Sequence, residues 1–149
     1  MRTSKIYGTE YRISDDGTVW SPFLLRNLTP TSDSSGYLFC IIRTDQGQKT
    51  VYLHKEVWKN FAADNRIWGL VTHKDGNKAN NSIDNLRCTH DPFRYVELIK
   101  RGVTITRIAE YFGHPKKEIS KYVSMVHEGG IRDLRKKHPM NKSLRVEEL

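Results

Sequence analysis

The chain has 149 residues, enough for one ordinary domain or two small ones with a modest buried core. Its 25 Lys and Arg against 17 Asp and Glu give a formal charge of +8, which favours a polyanionic partner, nucleic acid first among them. No apolar run approaches the roughly 18 to 20 residues that span a bilayer, and residues 1–10 lack a hydrophobic signal segment, so membrane and secretory classes are set aside and a soluble, cytoplasmic chain is expected.

Residues 11–53 alternate short strand-forming runs with turn residues. The runs 11–14 and 18–20 flank Asp15-Asp16-Gly17, where Gly17 can take a positive φ, and this predicts a hairpin. The runs 37–43 and 49–53 are apolar and β-branched, with Asp45-Gln46-Gly47-Gln48 between them, and predict a second hairpin. Residues 29–36, rich in Pro, Ser, Thr, Asp and Gly, read as the loop between the two. From His54 to Phe61 the period turns helical, with Val57, Trp58 and Phe61 on one side. His54 opens this helix, and packing or end-capping is its expected role. Residues 62–66 form a polar connection and 67–71 an apolar strand leading to His73. Cys40 and Cys88 are too few for a four-cysteine zinc site and are not spaced as C-x-x-C, so they read as two reduced thiols.

Residues 71–86 read V-T-H-K-D-G-N-K-A-N-N-S-I-D-N-L: a histidine after an apolar run, a polar turn, then Asp-Asn-Leu where a second strand should start. Phosphodiester cleavage needs an activated water, charge stabilisation on the phosphate and protonation of the leaving oxygen. A histidine with one nitrogen held by an amide or carbonyl can take the water's proton near neutral pH, and His73 is the candidate base. A hard divalent cation held by oxygen ligands, Mg²⁺ or Mn²⁺, would serve the phosphate and the leaving oxygen. Asp75 and the loop asparagines are expected to satisfy backbone groups, as Asx side chains do in turns.

Beyond this stretch, residues 92–101 predict a helix ended by Gly102. Thr104 looks like an N-cap, because Ile105, Ile108, Ala109 and Phe112 follow at helical spacing. Gly113 stops that helix and Pro115 suits the first turn of the next, whose buried stripe is Ile119, Val123 and Val126. Residues 92–126 are similar to a helix-turn-helix of the resolvase and phage-regulator kind. Lys116, Lys117, Ser120, Lys121 and Ser124 are left near the outer face, where lysines meet phosphates or guanine edges. Arg132, Arg135, Lys136 and Lys137 read as phosphate contacts or as disorder, and residues 140–149 as a loose tail.

His73, Asp75, Gly76, Asn77, Asn80, Asn81 and Asn85 fall where the HNH homing endonucleases of phages and mobile introns have theirs, and residues 71–86 resemble the ββα-metal motif of that family. Upstream, residues 11–20 and G-Y-L-F-C-I-I followed by Y-L-H-K-E-V-W-K-N-F resemble the N-terminal modules of phage HNH proteins, so the similarity covers residues 10–89. The resemblance implies a general base at His73, a structural asparagine at Asn85 that holds the hairpin loop, and a divalent metal. Two positions depart from the pattern. The residue before the base, an Asp, Asn or His ligand in the family, is Thr72, a weak neutral oxygen donor to the metal, and the second ligand position falls on Arg94. His90 or Asp91 could replace the missing metal ligand, and Arg94 could contact a phosphate or stay solvated.

The expected fold is α+β: N-terminal β-hairpins and a ββα-metal HNH motif over residues 1–91, a helix-turn-helix over 92–139, and a tail. The expected function is a homing-type DNA endonuclease acting on double-stranded DNA, as a monomer that nicks or a homodimer that cuts both strands. The alternative is a nuclease-inactive DNA-binding regulator that retains the HNH fold, to which Thr72 and Arg94 point. An RNA-binding or structural nucleic-acid protein has only the charge in its favour.

Overall fold

Four short strands open the chain: β1 (Thr3–Lys5), β2 (Arg12–Ser14), β3 (Val19–Ser21) and β4 (Arg26–Asn27), antiparallel and adjacent in that order. The β2–β3 turn is the predicted one, with Gly17 at φ +92°. Ile13 pairs with Val19 facing the core, and Arg12 pairs with Trp20 on the outer face, the period-two alternation of a half-buried strand. A second antiparallel sheet joins β5 (Thr31–Ser32), β6 (Leu38–Thr44) and β7 (Gly47–Tyr52). β5 lies within the predicted loop 29–36, where Thr31 pairs with Phe39 and Ser32 with Leu38.

Helix α1 (Leu53–Phe61) follows β7 without a connection and buries Leu53, His54, Val57 and Phe61 along one stripe. These residues join Ile6, Ile13, Val19, Ile42 and Val51 in one hydrophobic core. A two-stranded ladder, β8 (Val71–His73) and β9 (Leu86–Cys88), adds Val71 and Leu86 to it. Strand β8 starts later than the apolar run predicts, because Gly69 takes φ +84° and Leu70 N–H bonds the Thr89 hydroxyl instead of a ladder carbonyl. The computed structural model describes residues Met1 to Leu149 and divides into two units, Met1–Thr89 and His90–Leu149. Strands β8 and β9 therefore belong to the first unit, while the helix expected to close their motif opens the second.

The second unit is all helical: α2 (Pro92–Lys100), α3 (Ile105–Phe112), α4 (Lys116–Val126) and α5 (Gly130–Lys137). The Asp91 carboxylate caps α2 by accepting from Arg94 N–H at 3.2 Å, with Pro92 in the first turn. Thr104 caps α3 through Arg107 N–H, and Gly113 ends it in the left-handed conformation at φ +72°. Pro115 takes the N-cap position of α4 rather than its first turn. Tyr95, Leu98, Ile99, Ile108, Ile119, Val123 and Leu134 fill this second core.

Two expectations for the C-terminal region change. The basic run at 132–137 is ordered as α5, and Arg135 gives its guanidinium to the carbonyls of Ile99 (3.1 Å) and Val103 (2.5 Å), so it is spent inside the unit. The predicted tail is docked: Asn141 N–H bonds Gly102 O at 2.8 Å, and Val146 is buried with Leu144 packed beside it. Cys40 and Cys88 are both thiols. No helix is long and apolar enough to cross a membrane.

Candidate active site

The loop between β8 and β9 is held by its own polar side chains, as a segment without ladder partners must be. Asn85 Nδ2 donates to Asp75 Oδ1 (2.9 Å) and to Asn80 O (2.8 Å), while its Oδ1 accepts from Asp75 N–H (3.2 Å). Asp75 also accepts from the Asn80 amide (3.0 Å) and from Asn77 N–H (2.8 Å). Hydrogen bonds from Asn80, Asn85 and Asn77 hold the Asp75 carboxyl below the usual carboxylate range. Asn85 thus ties both ends of the loop together, and both of its amide atoms are engaged there.

The hydrogen bond to His73 comes from Asn81. His73 Nε2 lies 2.7 Å from Asn81 Oδ1, and Asn81 is only 3 % exposed. With an acceptor facing it, Nε2 carries the ring proton and Nδ1 keeps its lone pair. Asn81 is fixed from behind by the β2–β3 turn: Ile83 N–H bonds Asp15 O at 2.8 Å, and a Cβ on Gly17 would stand 2.8 Å from Asn81 Cβ.

Around His73 lies an aromatic group that α1 and the β5–β6 segment supply. The His54 ring stacks on Tyr37 at 4.8 Å and lies 5.6 Å from the His73 ring. Tyr52 meets His54 edge-on and donates its hydroxyl to Asp33 at 3.1 Å. His54 is 5 % exposed, and its Nδ1 has no hydrogen-bond partner. Burial, then the neighbouring His73 and Lys55, hold its pKa at about 4 against the pull of Asp33, so the ring is neutral. Lys78 reaches the same group, with Nζ 4.5 Å from the Tyr37 ring centroid and bonded to Ser35 O.

A divalent cation of the kind implied for such motifs takes oxygen donors, and each residue expected to supply a ligand is hydrogen-bonded within its own unit. The Thr72 hydroxyl donates to Arg87 O at 3.3 Å. Arg94 is a cation paired with Glu97 at 3.1 Å, and Asp91 is the cap of α2. His90 belongs to a different cluster, within the second unit, where it lies 3.2 Å from Glu118 with His114 beside it. Burial, then His114, lower the His90 pKa against the pull of Glu118. A His/Glu set with metal-like spacing is therefore present within the second unit.

No protein-family model matches the chain. It is 31% identical over 103 residues to an uncharacterised HNH endonuclease, L245, of Acanthamoeba polyphaga mimivirus, an alignment covering 68% of this chain and 31% of that one. The chain therefore spans about a third of the length of this curated relative. Its structure aligns with that of the HNH homing endonuclease I-HmuI, from a study of DNA binding and cleavage, with a TM-score of 0.55, 28% identity, 74% of this chain and 67% of the other. Both of these relatives are HNH endonucleases. The chain's α+β architecture is that of an HNH endonuclease.

The structure brings His73, Asn81, His54 and Tyr37 together and leaves Asn85 in the supporting loop. The sequence singles out His73 and Asn85, but in it Asn81 is one more loop asparagine and His54 a packing residue. A signal for His54 exists there, a polar ring on the apolar stripe of α1, but it does not say which ring it faces. Among the candidate DNA contacts, Lys116, Lys117 and Lys121 are exposed on α4 with Ser120 half-buried between them, and Arg94 is half-buried on α2.

Proposed function

We propose that this chain is a DNA endonuclease of the homing type with His73 as its general base. The observation that carries the reading is the 2.7 Å contact from Nε2 to Asn81 Oδ1, which leaves Nδ1 as the ring's basic atom. In the proposed step a water gives its proton to Nδ1, its oxygen bonds to phosphorus, and the P–O3′ bond breaks, the leaving oxygen taking a proton from solvent. Asn81 orients the base, and Asn85 maintains the loop that carries Asn81. Neutral His54 and the Tyr37 ring place no positive charge against the imidazole.

The partner is double-stranded DNA. Lys116, Lys117 and Lys121, with Ser120, are proposed as its contacts on α4, used in the manner of a helix-turn-helix, and Arg94 as a phosphate contact. The setting that fits is the cytoplasm of a cell hosting a phage or mobile element. Mg²⁺ and Mn²⁺ are the ions to supply in assays, since hard cations keep water ligands and bind phosphate oxygens directly. Thr72, a neutral hydroxyl before His73 that bonds Arg87 O, is the one observation on the side of a nuclease-inactive DNA-binding regulator.

The test is relaxation of supercoiled plasmid with Mg²⁺ or Mn²⁺, stopped by a chelator. His73→Ala should lower the rate by about 10²- to 10⁴-fold, the usual worth of a general base. Cleavage unchanged in that variant removes His73 from the role. Retained DNA binding with no cleavage under any metal gives the chain to the regulator reading.

A further inference from the structure

Three side chains of the second unit bring two ring nitrogens and a carboxylate oxygen to one place. His90 precedes the N-cap of α2, His114 lies in the turn between α3 and α4, and Glu118 sits in the first turn of α4. Their ligand atoms all lie within 4.8 Å of one another. The 3.2 Å separation of His90 Nε2 and Glu118 Oε2 matches one edge of a tetrahedron, about 3.3 Å, drawn around an ion with bonds of about 2.0 Å.

The His90 ring is held on its other side as well. Its Nδ1 is 2.9 Å from the Tyr95 hydroxyl, Tyr122 stacks on it at 4.0 Å, and it is 6 % exposed. A metal-binding histidine characteristically donates its second N–H to such a partner, which fixes the tautomer and turns the remaining lone pair to the ion. Tyr95 is fully buried and suited to that place. Aromatic packing accounts for the Tyr122 stack. It does not account for two imidazoles, 4.2 Å apart by ring centroids, converging with a carboxylate.

We propose that His90, His114 and Glu118 bind a zinc ion, with water as the fourth ligand, and that the ion ties the start of α2 to the turn between α3 and α4. The mixed nitrogen and oxygen donors select Zn²⁺ over Mg²⁺ and Ca²⁺, which take oxygen almost exclusively. All three ligands come from the second unit, so the site stands whether or not the first unit cuts DNA. Its role is structural: it holds the Gly113-His114-Pro115 turn, and through it the start of α4.

The experiment uses the full chain, stripped by a chelator, dialysed, and titrated with Zn²⁺ alone in a calorimeter and in thermal melts. One equivalent should bind, and the melting temperature should rise by a few degrees, since binding to the native state alone stabilises it. His114→Ala and Glu118→Gln, both at accessible positions, should each weaken Zn²⁺ at least tenfold and abolish the rise while melting normally without metal. Tyr95→Phe should weaken it by about 10- to 100-fold, and His73→Ala should bind like the parent. The proposal is overturned if the chain takes up no Zn²⁺, if His114→Ala and Glu118→Gln bind it like the parent, or if Mg²⁺ gives an equal shift that Glu118→Gln removes.

Discussion

Asn81 gives its oxygen to His73 and keeps a buried Nδ2 without a partner. Asn81→Ala therefore removes a hydrogen bond and an unpaired amide together. Its stability cost should stay near 1 kcal/mol, while plasmid nicking falls well over tenfold because nothing then fixes the imidazole tautomer. Asn85→Ala should behave in the opposite proportion. It takes the partner from Asp75 N–H and Asn80 O and one of two donors from Asp75 Oδ1, at about 0.5 to 1.5 kcal/mol for each hydrogen bond lost, and lowers cleavage through the loop. Melts and nicking rates on the two variants, side by side, check the contrast. Acid should act on stability through His54. Its folded pKa is about 4 against an ordinary value of 6.5, so below 6.5 the unfolded chain binds the proton that the folded chain refuses. Stability should fall as pH drops from about 6.5 to about 4, and His54→Phe should flatten that part of the Tm profile. An identical slope in the variant would take His54 out of the account. The loop-holding place of Asn85 is legible through the resemblance, but the pairings of Asn81 and His54 are not. Asn81 stands eight positions from His73 and His54 nineteen, and only the folded core decides which rings and amides face each other.

Helices are the more readable elements, because capping and periodicity are local. Thr104, Gly113 and the Ile105-to-Phe112 stripe define α3 in the sequence as they do in the structure. Strands β1, β4 and β5, of two or three residues each, are too short to show alternation, and their pairing is set by neighbours elsewhere in the chain. The docking of Leu144 and Val146 is hidden for a related reason, since two apolar residues in a polar stretch carry no period. At the β2–β3 turn, Gly17→Ala forces a Cβ at φ +92° to within 2.8 Å of Asn81 Cβ, on top of the left-handed strain of about 1 to 2 kcal/mol that any L-residue meets. The variant should melt lower and lose cleavage out of proportion to Gly47→Ala, where the added Cβ meets nothing within 4 Å. Equal losses in the two would mean that backbone strain alone, and not the push on Asn81, is at work.

For the molecule as a whole, the excess of positive charge is legible at once, and the division into two units follows the change from β-rich to helical pattern near residue 90. If α4 contacts DNA as proposed, binding and cutting should separate by mutation. Lys117→Ala and Lys121→Ala should weaken affinity and reduce the slope of log K against log salt by about one unit for each phosphate no longer neutralised. His73→Ala should keep both affinity and slope. Binding titrations at several salt concentrations decide it, and parental behaviour in both lysine variants would move the DNA-binding surface off α4. The close approach of Gly17 to Asn81 has a consequence for anyone who would borrow this His-Asn hairpin. Residues 71–88, lifted into another scaffold, would bring His73, Asn81 and Asn85 but leave behind the turn that Asn81 rests on and the Tyr37 and His54 rings beside the base. A graft would have to carry that wall with it, which makes the first unit, rather than the signature, the smallest portable piece.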